Sequence, residues 1–137
     1  MTFKGSISAA ALALFMAGPA LAQAPVKIGM VTTLSGPGGY LGQDVRDAFN
    51  LAVELQGGKL GGAPVQVLVE DDALKPGQGK EIAERFMKTE KIRLLTGIIF
   101  SNVAGAVVPD ILDNDGVYVS PNAGPSNFAG KECHKNY

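Results

Sequence analysis

Two polar segments of the sequence have the residue types that bind a carboxylate. Ser101 and Asn102 follow an apolar run, residues 94–100, and begin a helical pattern. At the start of a helix, the hydroxyl side chain and the leading backbone N–H groups favour a negatively charged group. The turn Asn122-Ala123-Gly124 would add backbone donors with little side-chain obstruction. Together the two segments predict a site for a small carboxylate.

Tyr40 and Leu41, which precede Gly42, offer an apolar or aromatic wall for such a site. A simpler interpretation exists for both parts of the site. Ser101 would then be only a helix N-cap, and Tyr40 only a surface aromatic residue. The spacing of the residues does not decide between these interpretations.

Catalytic and metal chemistry have less support. Glu70, Asp71 and Asp72 could hold a metal ion or act as acid and base, but no His or Cys lies near them in the sequence. His134 is the only histidine, and no serine lies in a Gly-x-Ser-x-Gly motif. We therefore expect the acidic residues to cap the following loop and face water. No catalytic residue and no metal is predicted.

A nucleotide cofactor is not expected either. In the dinucleotide fingerprint G-x-G-x-x-G, Gly36 and Gly38 would be the first two glycines. The third glycine would then be required at position 41, which is Leu41, and Gly42 comes one residue late. Pro37 removes a backbone donor that a pyrophosphate would use. No Gly-Lys-Ser/Thr sequence follows, which excludes a P-loop. The sequence predicts no cofactor.

The composition indicates at most one soluble domain. The chain has 137 residues, 46% of them hydrophobic and 18% charged, with a formal net charge of −1. This is enough apolar material for a core. The balanced and scattered charge argues against nucleic-acid binding. No apolar window of about 18 residues follows the N-terminus, so we expect no membrane span in the mature chain.

The N-terminus, residues 1–22, is predicted to be a secretory signal peptide. A positive charge precedes the apolar stretch 7–16, and the helix breakers at 18–19 lead to a small-residue cleavage site that ends at Ala22. Cleavage after Ala24 fits the same rule, and an ordinary buried helix is the alternative. In a bacterium the mature protein would be periplasmic.

From Val26 onwards, the hydrophobic pattern predicts the order β-α-β-α-β-α-β, an α/β fold with a doubly wound parallel sheet. The loops 35–42, 70–77, 101–102 and 120–127 would all lie at one edge of the sheet. Right-handed crossovers and a strand order of 2-1-3-4 place the loop 35–42 and Ser101-Asn102 on facing sides of a crevice at the carboxyl ends of the strands. The later strands are predicted at 64–70, 94–100 and 117–120, and the helices at 44–56, 78–91 and 103–112.

Two helices are predicted to bury an apolar stripe against the sheet. In the first the stripe consists of Val45, Ala48, Phe49, Ala52 and Val53, and in the second of Ile82, Ala83, Phe86 and Met87.

Cys133 is the only cysteine. In an oxidising compartment an odd cysteine is a free thiol, forms an intermolecular bridge, or pairs with a cysteine elsewhere in a longer chain. The residues by themselves leave the three alternatives open.

Several motifs in this order are similar to a known family. They are Lys27-Ile28-Gly29, Leu34-Ser35-Gly36-Pro37, Gly42, Glu70-Asp71-Asp72, Gly97 with Ser101, and Ser120-Pro121. They resemble the leucine/isoleucine/valine-binding proteins, the type I periplasmic solute-binding components of ABC importers. The resemblance covers the whole mature part of the chain.

The resemblance implies two α/β lobes that close on a ligand without chemistry. Residues 25–137 would be the N-terminal lobe, truncated, since such a chain is roughly two to three times longer. A membrane permease of an ABC importer would be the partner. The segment beyond residue 137 would then carry the partner of Cys133, which favours the third alternative for this residue.

The resemblance also implies roles for individual residues. Ser101 matches a serine whose hydroxyl holds the ligand carboxylate, and Asn122 and Gly124 lie on a turn that adds contacts to it. Leu41 occupies the position of a wall aromatic, with Tyr40 one residue earlier. Amino-acid binders typically have a threonine at position 124, and the loop 120–127 looks more like relatives that take up aromatic or other non-amino-acid carboxylates.

Two other functions remain open from the sequence. The same fold serves as the ligand-sensing domain of receptors, which a downstream signalling or membrane segment would reveal. An exported α/β enzyme is the third hypothesis, and it would depend on Glu70 or Asp72.

Overall fold

The computed structural model describes residues 23–122 and 124–137. The predicted signal peptide and Ala123 lie outside the described residues. The strands are β1 (Val26–Thr32), β2 (Lys59–Leu60), β3 (Ala63–Asp71), β4 (Leu94–Thr96) and β5 (Val117–Val119), and the helices are α1 (Gly39–Leu55), α2 (Pro76–Lys88) and α3 (Ser101–Asp113).

The strands form one sheet in the order β2-β3-β1-β4-β5. β1 pairs in parallel with β3 and β4, and β4 pairs in parallel with β5. The predicted doubly wound parallel sheet with order 2-1-3-4 is therefore confirmed. The short β2 was not predicted. It forms an antiparallel hairpin with β3 through Gly61-Gly62, both at positive φ, as a two-residue hairpin turn requires.

One face of the sheet is covered by α2 and α3. The predicted stripe of α2 (Ile82, Ala83, Phe86 and Met87) is buried, as predicted. Phe86 lies directly over β1, where a Cβ at Gly29 would be only 2.6 Å from the Phe86 ring. The core on this side includes Val31, Leu95, Val107 and Tyr118, all at most 2% exposed.

The other face carries α1, and here the prediction was wrong in two respects. The helix begins at Gly39, five residues earlier than predicted, so Tyr40 and Leu41 lie in its first turn. Its predicted stripe is not buried: Ala48 and Ala52 are exposed and Val45, Phe49 and Val53 only half-buried. The buried residues of α1 are Gly39 and Gly42, because the helix approaches the sheet through its N-terminal turn.

The connection from β4 to α3 also differs from the prediction. Residues 95–99 are buried, but the strand ends at Thr96, and α3 begins at Ser101. Gly97 adopts φ +105°, which turns the chain out of the strand. Among the described residues, no helix is long and apolar enough to cross a membrane.

Candidate functional site

The loops that follow the parallel strands meet at one edge of the sheet. The Phe100 ring lies against the backbone of Gly38 in the loop after β1, since a Cβ at Gly38 would be 2.6 Å from Phe100 Cζ. Leu74, after β3, lies next to the same position, and Asn122 Nδ2 donates to the Ile99 carbonyl at 3.1 Å. The structure therefore brings the four loops together.

Ser101 is the first residue of α3 and is exposed at this edge. The helix predicted at 103–112 therefore begins two residues earlier, and the simpler interpretation of Ser101 as only a helix N-cap is wrong. Phe100 is the N-cap, and no side chain of the described residues caps α3. The Val103 and Ala104 N–H groups donate to Phe100 O. The first N–H groups of the helix are therefore those of Ser101 and Asn102. The Ser101 hydroxyl and exposed Asn102 thus lie at the positive end of α3.

The turn after β5 lies beside this helix start. Asn122 is exposed, but its amide nitrogen is bound to Ile99 O. Gly124 is exposed, and a Cβ there would be 2.1 Å from the Tyr137 hydroxyl. The Tyr137 hydroxyl therefore occupies the space that a side chain at position 124 would need. Ala123 lies outside the described residues.

The two predicted wall residues, Tyr40 and Leu41, differ in exposure. Tyr40 is 62% exposed, and Leu41 is half-buried, with its N–H donating to Gly38 O at 3.2 Å. Phe100, which the sequence analysis missed, lies within the loop cluster instead. The signal was available, because Phe100 is the only aromatic residue of the apolar run that precedes Ser101.

The acidic residues at the end of β3 connect the loops. Asp72 is fully buried, so the expectation that this cluster faces water was wrong for Asp72. Its Oδ1 accepts from Thr33 Oγ1 at 2.6 Å and from the Leu74 N–H at 2.8 Å. Asp71 Oδ1 accepts from the N–H groups of Leu34 and Ala73, both at 2.8 Å. The two carboxylates thereby tie the loop after β1 to the loop after β3.

Asp71 is adapted to hold a negative charge. Partial burial raises the pKa of its carboxyl group, but the Ser35 side chain and the neighbouring backbone N–H groups donate hydrogen bonds to the carboxylate. These bonds outweigh the effect of burial, so the pKa lies below its usual value.

Metal ligands are not grouped in the part of the chain that the structure describes. Its His, Cys, Asp and Glu side chains do not gather in threes in a way that could hold a metal ion. Cys133 and His134 are exposed. The polar groups at this edge that suit an anion are the hydroxyl of Ser101, the start of α3 and the turn after β5.

Curated proteins that are similar to this chain are named as leucine/isoleucine/valine-binding proteins. The chain is 29% identical to Leu/Ile/Val-binding protein homolog 6 of Brucella abortus strain 2308 over 127 residues, 91% of this chain and 33% of the relative. It therefore spans about a third of the length of the curated relatives it matches.

Solved structures with the same fold are solute-binding proteins of ABC transporters. One from R. palustris, in complex with benzoate, matches with a TM-score of 0.78 and 30% identity, over 82% of this chain and 31% of that one. Another from R. palustris, in complex with 4-hydroxybenzoate, matches with a TM-score of 0.71 and 29% identity, over 79% and 30%.

The family comparison covers the same part of the chain as the fold. A model described as "Periplasmic binding protein" matches residues 25–137, which include every strand and helix described above. The two solute-binding proteins share the fold of this chain, with TM-scores of 0.78 and 0.71. This chain belongs to the periplasmic binding protein family and forms part of its N-terminal lobe.

Proposed function

We propose that the complete protein captures a small carboxylate outside the cytoplasm and delivers it to the membrane permease of an ABC importer. This chain would supply one wall of the site, and a second lobe would close over the ligand. The observation that supports the proposal is the contact between loops. The Asn122–Ile99 hydrogen bond of 3.1 Å places the turn after β5 beside the helix that begins at Ser101.

In this proposal Ser101 and the leading N–H groups of α3 hold the carboxylate, with Asn102 beside them. Asn122 and Gly124 of the turn after β5 complete the anion site, to which the sequence also assigns Ala123. Tyr40, Leu41 and Phe100 would form the apolar wall. A charged acceptor strengthens each of these hydrogen bonds, so the site should prefer an anion to its neutral isostere.

We further propose an aromatic carboxylate as the solute. Structural neighbours with 29–30% identity are complexes with benzoate and 4-hydroxybenzoate. Gly124 contributes no hydroxyl group, and the Tyr137 hydroxyl occupies the space that a side chain at position 124 would need. The curated relatives named for leucine, isoleucine and valine make leucine the competing solute, at a similar identity of 29%.

The test is a thermal shift and calorimetry series on the complete protein with benzoate, 4-hydroxybenzoate, leucine and benzamide. We expect benzoate to bind and its uncharged analogue benzamide not to bind. Ser101→Ala should weaken benzoate binding about tenfold or more, because a charge-assisted hydrogen bond contributes about 1.5–3 kcal/mol.

The matched control is Ser126→Ala, which removes an exposed serine of the same loop region. It should leave affinity unchanged. Full affinity in Ser101→Ala would refute the role of this residue, and equal binding of benzoate and benzamide would refute the anion site. Binding of leucine alone would refute the proposal of an aromatic solute, but it would agree with the proposal of a carboxylate site.

A further inference from the structure

The bend between β4 and α3 determines where Ser101 lies. It consists of residues 97–100, and within it Ile98 and Ile99 are at most 1% exposed. The bend belongs neither to a strand nor to a helix, so its buried backbone groups need partners outside regular secondary structure.

Two of these partners come from the β5 segment. The Ile98 N–H donates to the Tyr118 hydroxyl at 3.1 Å, and Asn122 Nδ2 donates to the Ile99 carbonyl at 3.1 Å. A single neighbouring segment therefore binds consecutive residues of the bend, just before α3 begins.

The Tyr118 hydroxyl is itself held in place. Tyr118 is 2% exposed, and its ring stacks on Tyr137 with the centroids 5.9 Å apart and the planes at 19°. Burial raises the pKa of Tyr118 well above its usual value, and the negative charge of buried Asp72 acts in the same direction. The hydroxyl thus stays neutral at physiological pH.

We propose that Tyr118 is a positioning residue for the anion site, because its buried hydroxyl holds the Ile98 N–H and so sets the start of α3 at Ser101. Asn122 supports the same bend through Ile99. The inference rests on the proposed function, since the site it positions is the proposed carboxylate site. Tyr118 itself does not contact the ligand in this scheme.

The test is Tyr118→Phe in the complete protein, which keeps the ring and removes the hydroxyl. The matched control is Thr96→Val. Thr96 Oγ1 donates to Val119 O at 2.7 Å, so this variant also removes a side-chain hydrogen bond between β4 and β5, but not one to the bend. Benzoate and leucine are the probes. We expect Tyr118→Phe to weaken binding about tenfold and Thr96→Val to leave it unchanged.

A double-mutant cycle separates positioning from general destabilisation. If Tyr118 acts by positioning Ser101, the loss of affinity in the double variant S101A/Y118F should be smaller than the sum of the losses in the two single variants. Wild-type affinity in Tyr118→Phe would overturn the inference. An additive loss in the double variant would also overturn it, because the effect would not pass through Ser101.

A measurement without ligand keeps the two proposals distinguishable. Amide hydrogen exchange and backbone NMR should show the Ile98 amide exchanging at least tenfold faster in Tyr118→Phe, with a shifted Ser101 amide resonance. Asn122→Ala, a change at an exposed residue, should shift the Ser101 resonance as well. If the wild type binds neither benzoate nor leucine, the proposed function fails. The exchange of the Ile98 amide and the resonance of the Ser101 amide then still test whether Tyr118 positions the start of α3. Unchanged amides in both variants would refute it.

Discussion

The neighbouring carboxylates Asp71 and Asp72 at the end of β3 have different surroundings. Asp72 is buried and binds Thr33 and Leu74, whereas Asp71 is half-buried and binds the N–H of Leu34. Asp72 Oδ2 has no hydrogen-bond partner among the described residues. Both carboxylates join the loop after β1 to the loop after β3.

The lowered pKa of Asp71 predicts a specific pH dependence of stability. Its pKa in the folded state lies below that in the unfolded state, so its charge stabilises the fold above the unfolded pKa of about 3.9. This contribution disappears as the pH falls through the folded pKa. We expect Asp71→Asn to lower the free energy of unfolding at pH 7 by about 1 kcal/mol, and the difference from the wild type to shrink below about pH 4.

Urea denaturation of the complete protein at pH 7, 5 and 3 measures this difference. Asp47→Asn is the control, because Asp47 is exposed and its pair with Arg46, at 2.8 Å, is screened by solvent. It should leave the unfolding midpoint unchanged. A pH-independent difference for Asp71→Asn would contradict the assignment.

At the scale of elements, α1 docks on the sheet through its first turn. A Cβ at Gly42 would lie 2.0 Å from the Thr33 carbonyl oxygen and 2.7 Å from Thr32 Oγ1. Real atoms cannot approach so closely, so any side chain at this position forces α1 away from the end of β1. The close approach explains why α1 buries glycines rather than its apolar stripe.

Gly42→Ala should therefore destabilise the protein. The backbone contacts cannot yield as a flexible side chain can, so we expect a loss of about 2–3 kcal/mol in the free energy of unfolding. Gly77→Ala is the matched control, since this glycine of α2 has no atom within 4 Å of its Cβ position. It should be neutral or slightly stabilising through helix propensity. Equal effects of both variants in urea denaturation would contradict the packing argument.

At the scale of the whole molecule, the two faces of the sheet are covered unequally. α2 and α3 bury one face, while the other carries α1 and an apolar crevice of about 140 Å³. Val117 and Val119 of β5 are 39% and 55% exposed, and Leu55 of α1 is 75% exposed. The crevice is lined by Ile28, Phe49, Leu60, Leu94, Thr96 and Val119.

A polypeptide of residues 25–137 is therefore expected to self-associate, because an apolar face beside a sheet edge favours contact with another copy. Sedimentation should show a concentration-dependent rise in mass. Replacing Val117 and Val119 by threonine should shift the equilibrium towards monomer. Leu74→Thr is the control, as it removes similar apolar surface (Leu74 is 38% exposed) at the loop edge. A monomer at all concentrations would contradict the expectation.

The sequence by itself determined the fold class, the strand order and the family. The apolar run 94–100 and the stripe on α2 reflect burial by neighbouring elements, and burial leaves a periodic pattern that can be recognised without coordinates. The motifs around Ser35 and Ser101 lie at loops after strands, where a parallel sheet must collect its binding residues. For these features, the burial and loop positions that shape the tertiary structure also determine the local sequence pattern.

Only the tertiary structure decided how the loops are held together. Asp72 is fully buried beside Gly79 of α2 and the Thr33 hydroxyl, and nothing in its sequence neighbourhood distinguishes it from Asp71. Phe100 rather than Tyr40 enters the loop cluster, because α1 begins at Gly39 and leaves the Tyr40 side chain exposed. The Tyr118–Ile98 hydrogen bond joins residues 20 positions apart. Such contacts depend on distances between elements, which hydrophobic periodicity does not encode.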